Sequence, residues 1–248
     1  MTISNDERDL VAQVVARPDE DGPRLDYAAW LDAHGQAPRA ELIRVQCQAE
    51  RLREREQELL ARHAAEWGAP LRDLYVDDWQ FRRGFPEGIR IDTARYLENH
   101  AALAAVTPVT RLQLSAPDDA LLARFAALPV NRNLRTLEVR AEGNEVGPAG
   151  IRELTQSPHL THLREFRLHS DGIGLEGVYH VARAPFVRKL THLTLADTHL
   201  SGAEKPFLDM VQALDPAVIQ EFRWADQVLG PRSAFFAVSR PGDSGPGR

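Results

Sequence analysis

The stretch Leu190-Thr-His-Leu-Thr-Leu195 decides the fold that this sequence predicts, because its spacing of apolar residues recurs along the second half of the chain. The same LxxLxL pattern occurs in four further stretches: Val109-Thr-Arg-Leu-Gln-Leu114, Leu134-Arg-Thr-Leu-Glu-Val139, Leu163-Arg-Glu-Phe-Arg-Leu168 and Ile219-Gln-Glu-Phe-Arg-Trp224. The stretches start at positions 109, 134, 163, 190 and 219, so consecutive starts lie 25, 29, 27 and 29 residues apart. Alternating apolar residues are typical of strands that bury one face, and a regular period is typical of repeat architectures.

Each predicted strand is followed by a turn and then by a helical stretch such as Gly147-Pro-Ala-Gly-Ile-Arg-Glu-Leu154. A period of 25 to 29 residues accommodates one strand, one turn and about three turns of helix. This organisation is that of the longer leucine-rich repeats, which stack because no single repeat can bury its own apolar face. The predicted fold class is therefore α/β, with a helix-backed leucine-rich-repeat solenoid of about five coils at residues 109–238.

The residues outside the repeats divide into three predicted segments. Residues 1–68 contain three amphipathic helices, and this helical module is expected to cap the amino-terminal end of the solenoid. Residues 69–108 are predicted to form a bridge and an irregular first coil, in which Phe85–Ile91 is a strand. The tail 239–248 has no apolar side chain apart from prolines and is predicted to be disordered.

A densely charged run, Arg51–Glu58, occupies one side of the longest predicted helix. It has two interpretations. The run is either a docking surface for a partner or a solvated helix face on which residues four apart form ion pairs.

The first part of the chain also resembles a known family. The pattern RLxYAxWL…G…RAELIRxQ extends from Arg24 to Gln46. It is similar to the bacterial "repeat-companion" domain, a small helical module that precedes leucine-rich repeats in planctomycete and myxobacterial proteins. The segment Trp79-Gln-Phe-Arg-Arg-Gly-Phe85 resembles the bridge between that module and its repeats. The resemblance implies an architecture only, since no common activity comes with it.

Composition excludes several classes of protein. The 248-residue chain is 43% hydrophobic and 27% charged, with a formal net charge of −6, as folded globular proteins are. It has no apolar run of the length that spans a membrane, and the acidic first residues lack the apolar core of a secretory signal. Cys47 is the single cysteine, which excludes an internal disulfide and favours a reducing cytoplasm. Nucleic-acid binding is not expected, because carboxylates interrupt any basic stripe.

The common motifs of catalysis are missing from the sequence. It contains no GxxxxGK[ST], GxGxxG, HExxH, CxxC or GxSxG pattern, the signatures of phosphate, dinucleotide, zinc and serine-hydrolase sites. The histidines of the repeats do not converge in the predicted strand phase, which argues against a metal site. Cys47 is expected to be a spectator thiol rather than a nucleophile. No catalytic residue, no cofactor and no metal ligand is therefore predicted.

A binding surface is predicted on the concave face of the sheet. The residues between the leucines of LxxLxL project from this face, where neighbouring strands lie about 4.8 Å apart. Arginine side chains suit bidentate recognition of a carboxylate-bearing partner, and open concave surfaces are what solenoids offer to partners. The predicted partner-binding residues are Arg111, Gln113, Glu138, Arg140, Glu165, Arg167, His169, His192, Thr194, Glu221 and Arg223.

Protein recognition without catalysis, in a bacterial cytoplasm, is the function that these observations favour. One alternative is a regulatory or specificity subunit of a stress, defence or signalling system. Another is an enzyme that uses the column Glu165, His192 and Glu221 for acid–base chemistry or weak metal binding, or a site between the helical module and the first coils. The identity of the partner, the oligomeric state, and whether the helical module or the concave face carries the main site stay open.

Overall fold

A computed structural model describes residues 4–141, 146–170, 172–197, 221–224 and 234–239. The chain divides into two compact units, Met1–Trp67 and Gly68–Arg248. We call the first the helical unit and the second the sheet unit, and each is described by itself. The boundary predicted at residue 68 lies next to the observed division, which falls after Trp67. In the tail predicted at 239–248, Ser239 belongs to a strand, and residues 240–248 lie outside the described residues.

The helical unit consists of three helices: α1 (Asn5–Ala16), α2 (Asp21–Ala33) and α3 (Ala37–Trp67). Helix α1 begins after Ser4, whose side chain accepts a hydrogen bond from the Glu7 backbone N–H at 3.2 Å, as a helix cap does. The core of this unit is small. Its buried residues are Tyr27, Ala28, Leu31 and Ala40, with Leu10, Val14, Trp30 and Ile43 packed against them.

Helix α3 buries only one side. Ala40 and Cys47 are its buried residues, and they lie seven positions apart, about two turns, on the same side of the helix. Leu42, Val45 and Leu52, which lie on the opposite side at 3.6 residues per turn, are each more than half exposed. These three apolar side chains of the helix therefore face away from the core of the helical unit.

The sheet unit alternates strands and helices. Its helices are α4 (Ala69–Asp73), α5 (Thr93–Val106), α6 (Asp119–Ala126), α7 (Pro148–Thr155) and α8 (Gly174–Arg183), with short 3-10 helices at Pro129–Asn133 and Val187–Lys189. Its strands are β1 (Val76–Arg82), β2 (Phe85–Asp92), β3 (Arg111–Ser115), β4 (Thr136–Arg140), β5 (Glu165–His169), β6 (His192–Asp197), β7 (Glu221–Trp224) and β8 (Ala234–Ser239). They form one eight-stranded sheet in the order β1-β2-β3-β4-β5-β6-β8-β7.

The middle of the sheet is parallel. Strands β2 to β6 pair in sequence order without a shift in register, so that Leu112, Leu137, Phe166 and Leu193 lie side by side. Strand β1 pairs with β2 in an antiparallel hairpin. The two turn residues between Arg82 and Phe85 both have positive φ, 51° at position 83 and 84° at Gly84, and this geometry matches the right-handed twist of the strands.

The core of the sheet unit lies between one face of the sheet and the helices that follow the strands. Leu168 and Leu195 are fully buried, which confirms the core positions predicted for them. The core continues into the helices through Leu122, Phe125, Ile151, Leu154, Val178 and Val181. Leucines of the LxxLxL pattern therefore point toward the helices, and the residues between them point away.

The core also contains a polar pair that the sequence did not reveal. The Tyr96 hydroxyl donates to Oδ1 of Asn131 at 2.8 Å, and Nδ2 of Asn131 donates to the Phe125 carbonyl at 2.7 Å. Asn131 is fully buried, so these bonds replace the hydrogen bonds that water would make. Burial raises the pKa of the Tyr96 phenol well above its usual value, which keeps the hydroxyl protonated as a donor.

The predicted fold class, a leucine-rich-repeat solenoid of about five coils capped by the helical module, is wrong. The structure is a mixed α/β fold whose sheet is parallel only in its middle. The fifth predicted strand, β7, does not extend the parallel row, because β8 pairs antiparallel with β6 and then with β7. Antiparallel strands need only a short connection and pair slightly more stably than parallel ones. At the other edge, β1 pairs antiparallel with β2, whereas β2 itself pairs parallel with β3.

Candidate functional site

The side of the sheet that points away from the helices carries polar residues in three rows. We call it the polar sheet face. In register across β2 to β6, the first row is Gly88, Arg111, Thr136, Glu165 and His192; the second row is Arg90, Gln113, Glu138, Arg167 and Thr194; the third row is Asp92, Ser115, Arg140 and His169. Parallel pairing in constant register places these residues in contact range of their row neighbours.

Two of the predicted site residues are separated from these rows by one strand, β8. Glu221 and Arg223 lie on β7, where they pair with Ser239 and Ala237 of β8. His192 pairs with the other side of Ser239. The column of Glu165, His192 and Glu221 that the enzyme interpretation requires is therefore interrupted by a whole strand. The predicted residues on β3, β4, β5 and β6 all lie on the polar sheet face.

Glu138 is the centre of a charged network on β4 and β5. Its Oε1 atom lies 2.5 Å from Nε of Arg140 and 3.7 Å from Nε2 of His169, and its Oε2 atom lies 3.8 Å from a guanidinium nitrogen of Arg167. The Glu138 side chain is only 12% exposed, whereas Arg140 is 49% exposed. A largely desolvated carboxylate interacts more strongly with its cations than a fully solvated one, so Glu138 orders the side chains around it.

Arg167 connects this network to the neighbouring row. One of its guanidinium nitrogens faces Glu138, and the other donates to Oε2 of Glu165 at 3.2 Å. The guanidinium thus lies between two carboxylates. The sequence predicted Arg140 and Arg167 as anchors for a carboxylate on a partner, but in the structure both are occupied by carboxylates of the chain itself.

His169 lies in the same network and has a perturbed pKa. Burial lowers the pKa of the imidazole, Arg140 lowers it further, Glu138 acts in the opposite direction, and Arg167 again lowers it. The carboxylate contact at 3.7 Å would by itself favour the imidazolium, but burial and the two guanidinium groups outweigh it. His169 is therefore held in its neutral form.

His192 neighbours Glu165 in the register of β5 and β6. Its Nδ1 atom lies 3.1 Å from Oγ1 of Thr191. Across the described part of the chain, no group of three or more His, Cys, Asp or Glu side chains is arranged to hold a metal ion. His192 therefore lies at the end of the first row of polar residues on the sheet, next to Glu165.

Arg111 differs from the other arginines on β3 to β5. No side chain in the described ranges forms an ion pair or hydrogen bond with its guanidinium. It borders a small open depression of about 110 Å³, to which Gln80, Gly88, Arg90, Gln113 and Thr136 also contribute. We call this the Arg111 depression. Ligand pockets for small molecules usually measure about 300–1,000 Å³, so the depression is too small for a typical metabolite.

Arg90, Gly88 and Gln80 were missed by the sequence reasoning, although a signal existed. The alternation of Ile89 and Ile91 predicted a strand at Phe85–Ile91, which is confirmed by β2. Extending the predicted columns by one strand toward the amino terminus would have added Gly88 and Arg90. Gln80 could not be found in this way, because β1 was not predicted as a strand.

Two larger cavities lie elsewhere. One, of about 330 Å³, is lined mainly by apolar residues, including Phe85, Leu103 and Val106. The other, of about 530 Å³, lies in the helical unit beside Cys47. Burial raises the pKa of the Cys47 thiol, and a hydrogen bond with Asp21 raises it further. A raised pKa disfavours the nucleophilic thiolate at neutral pH.

The charged run Arg51–Glu58 of α3 is exposed along its whole length. Arg55 pairs with Glu58 at 2.8 Å, and Arg51 pairs with Asp21 at 3.1 Å. Exposed ion pairs of this kind contribute little to stability. The geometry is that of a solvated helix face.

Comparison with protein-family models, with curated proteins and with solved structures found no match to this chain. Among the helices of the described residues, none combines the length and apolar character needed to cross a membrane.

Proposed function

We propose that this protein recognises a protein partner through the polar sheet face and that it is not an enzyme. The observation that carries the proposal is the network centred on Glu138, in which Arg140, Arg167 and His169 surround one largely desolvated carboxylate. Such a network presents an ordered pattern of charges, and complementary charge patterns provide specificity between proteins. Ordering the side chains before binding also reduces the entropy lost on association.

The dimensions of the face support a macromolecular partner. Five neighbouring strands, β2 to β6, span about 19 Å at the usual spacing between strands. The face carries charged or amide side chains on β2 to β5, and the cavity on it is small, about 110 Å³. A wide surface without a deep pocket suits a protein better than a small substrate.

The proposal includes two further points that rest on the sequence. Cys47 is the single cysteine, which supports a location in a reducing cytoplasm. The pattern between Arg24 and Gln46 supports membership of the helical unit in the repeat-companion family. Neither point adds a catalytic residue or a cofactor.

A comparative capture experiment tests the proposal. The full chain is cross-linked to partners in its native cells, and captured proteins are quantified by mass spectrometry for the wild type and for Glu165→Lys. This change removes the carboxylate that lies 3.2 Å from Arg167 while leaving every core leucine in place. The matched control is the double variant Arg53→Glu and Arg55→Glu on α3, which changes charge on the helical unit.

We expect at least one protein to be lost with Glu165→Lys and retained with the α3 variant, and purified copies of that protein should show the same difference. Circular-dichroism melts establish that both variants are folded. Loss of all captured proteins with the α3 variant alone would place the binding site on the helical unit and contradict the proposal.

A further inference from the structure

We propose that the Arg111 depression binds a carboxylate side chain from an acidic segment of the partner. This inference rests on the proposed function and deepens it, because it names the chemistry that the partner must present. It concerns the end of the polar sheet face nearest β1.

The guanidinium of Arg111 is available for a ligand. In its row, Arg111 lies between Gly88 and Thr136, and neither side chain can neutralise a charge. By contrast, Arg140 and Arg167 are paired with Glu138 and Glu165. Within the described residues, the Arg111 guanidinium has no such carboxylate. A partly exposed guanidinium of this kind can form two parallel hydrogen bonds with a carboxylate.

Gly88 creates the space beside Arg111. A Cβ atom at position 88 would lie 3.4 Å from Cβ of Gln80 and 3.6 Å from Cβ of Arg111. Because glycine has no such atom, the backbone of β2 forms an open floor between these two side chains. The resulting volume of about 110 Å³ accommodates one carboxylate group and little more.

The other polar groups of the depression favour an anion. Gln80 and Gln113 each bring a side-chain amide that can donate hydrogen bonds, and Arg90 adds a second guanidinium. Two carboxylates oppose them. Glu138 is already engaged by Arg140 and Arg167, whereas Asp78, which pairs with Arg90 in the β1–β2 register, remains as a nearby negative charge.

A protein carboxylate fits this arrangement better than a nucleic-acid phosphate. A polyphosphate chain needs several successive cations, but Glu138 and Glu165 follow Arg111 along the face. A single acidic side chain needs only the local guanidinium, and the rest of an acidic segment can reach Arg90. The expected ligand is therefore a short run of Asp or Glu residues on the surface of the partner.

Fluorescence anisotropy with a labelled octaglutamate peptide tests the inference on the purified full chain at low ionic strength, where screening is weak. Arg111→Gln should weaken binding about tenfold or more, as loss of a charge-assisted pair does. Asp78→Asn should strengthen binding, because it removes a repelling charge without touching Arg111. The matched control, Arg124→Gln, removes an exposed arginine of α6 and should leave the affinity unchanged.

Three results would overturn the inference: equal weakening by Arg124→Gln, unchanged binding with Arg111→Gln, or tighter binding of an oligothymidylate than of octaglutamate. A steric variant provides a second readout. Gly88→Val keeps all charges but fills the depression, so octaglutamate binding should fall. If Gly88→Val does not fold, Gly88→Ala replaces it, since its Cβ makes only ordinary contacts.

The failure of this inference is distinguishable from failure of the proposed function. If protein capture depends on Glu165 but not on Arg111, the polar sheet face is the binding site and the carboxylate inference is wrong. If Arg111→Gln weakens octaglutamate binding but Glu165→Lys loses no captured protein, the inference on ligand chemistry is supported and the proposed function is contradicted.

Discussion

Nε of Arg140 lies 2.5 Å from Oε1 of Glu138, two residues earlier on the same strand. Residues two apart on a strand share a face, so both partners of this ion pair belong to β4 and no neighbouring strand is needed to form it. Strand β5 then adds Arg167 and His169 on the same carboxylate. Glu138 consequently links two strands through charge, in addition to the backbone ladder between them.

Replacing this carboxylate should destabilise the sheet unit. Glu138→Gln removes the carboxylate that faces Arg140 and leaves Arg167 with Glu165 as its remaining carboxylate. We expect a loss of about 1–2 kcal/mol, between the values for exposed and buried pairs. Urea denaturation measures the change. Glu153→Gln is the matched control, because Glu153 pairs with Arg152 on an exposed helix surface, and it should cost less than about 0.5 kcal/mol. Equal effects of the two variants would contradict the central role of Glu138.

The lowered pKa of His169 makes stability depend on pH on the acid side. Since the folded chain disfavours the imidazolium, the unfolded chain binds the proton more readily as the pH falls below the ordinary value of 6.5. Stability is therefore complete above that pH and is lost as the pH falls through it toward the lower folded-state pKa. Between about pH 7.5 and about pH 5.5, on either side of the usual histidine pKa of about 6.5, the free energy of unfolding should fall less for His169→Gln than for the wild type.

An NMR titration of the His169 ring protons checks the cause. The imidazole should titrate below the usual range for histidine, and in Glu138→Gln it should titrate lower still, because Glu138 is the group that favours its charged form. A His169 that titrates above the usual range would show that the contact with Glu138 outweighs burial and the arginines.

The fully buried Leu195 should be costly to truncate. Leu195→Ala removes a side chain that lies beside Leu168 in the parallel pairing of β5 and β6, and we expect a loss of about 2–5 kcal/mol. Leu175→Ala, at an exposed position of α8, is the control and should change stability little. A denaturant melt in which Leu195→Ala costs less than about 0.5 kcal/mol would be inconsistent with the core placed on this side of the sheet.

Removal of the Tyr96 hydroxyl should leave Oδ1 of Asn131 without its donor. Tyr96→Phe is expected to cost about 1–3 kcal/mol, the penalty for an unsatisfied buried polar group. Because burial raises the pKa of Tyr96, its hydroxyl contributes to stability fully below pH 10.0, its ordinary value, and less as the pH rises above it. In urea denaturation, the difference in free energy of unfolding between the wild type and Tyr96→Phe should therefore become smaller at alkaline pH. Tyr179→Phe, a change at an exposed residue, should neither lower the free energy of unfolding nor show this pH dependence.

The interrupted column at His192 leads to a prediction about metals. Zinc or nickel should shift the melting temperature of the wild type and of His192→Ala equally, because a specific site on His192 would stabilise only the folded wild type. Thermal denaturation with and without the metal measures this. A shift confined to the wild type would revive the enzyme interpretation, even though β8 separates His192 from Glu221.

The alternation of apolar and polar residues was sufficient to predict the strands β3 to β6 and the side of the sheet that each of their residues faces. Leu112, Leu137, Phe166 and Leu193 are buried because alternation with a period of two residues places them all on one side of their strands. For the same reason Gln113, Glu138, Arg167 and Thr194 share the other side. These properties depend on the geometry of a single strand and therefore can be read from the sequence alone.

The order and direction of the outer strands were decided only by tertiary structure. Alternation does not distinguish a parallel from an antiparallel neighbour, since both expose the same side chains. The antiparallel β8 beside β6 and the β1–β2 hairpin consequently escaped prediction. So did the insertion of β8 between β6 and the strand that carries Glu221 and Arg223.

The roles of the individual arginines were likewise decided in three dimensions. By itself the sequence determined that Arg111, Arg140 and Arg167 would share one face of the sheet. Which of them is neutralised depends on distances of a few ångströms between strands that are remote in the chain: Glu138 engages Arg140 and Arg167, while Gly88 and Thr136 leave Arg111 open. Charge interactions act through space rather than along the chain, and only the folded register brings these partners together.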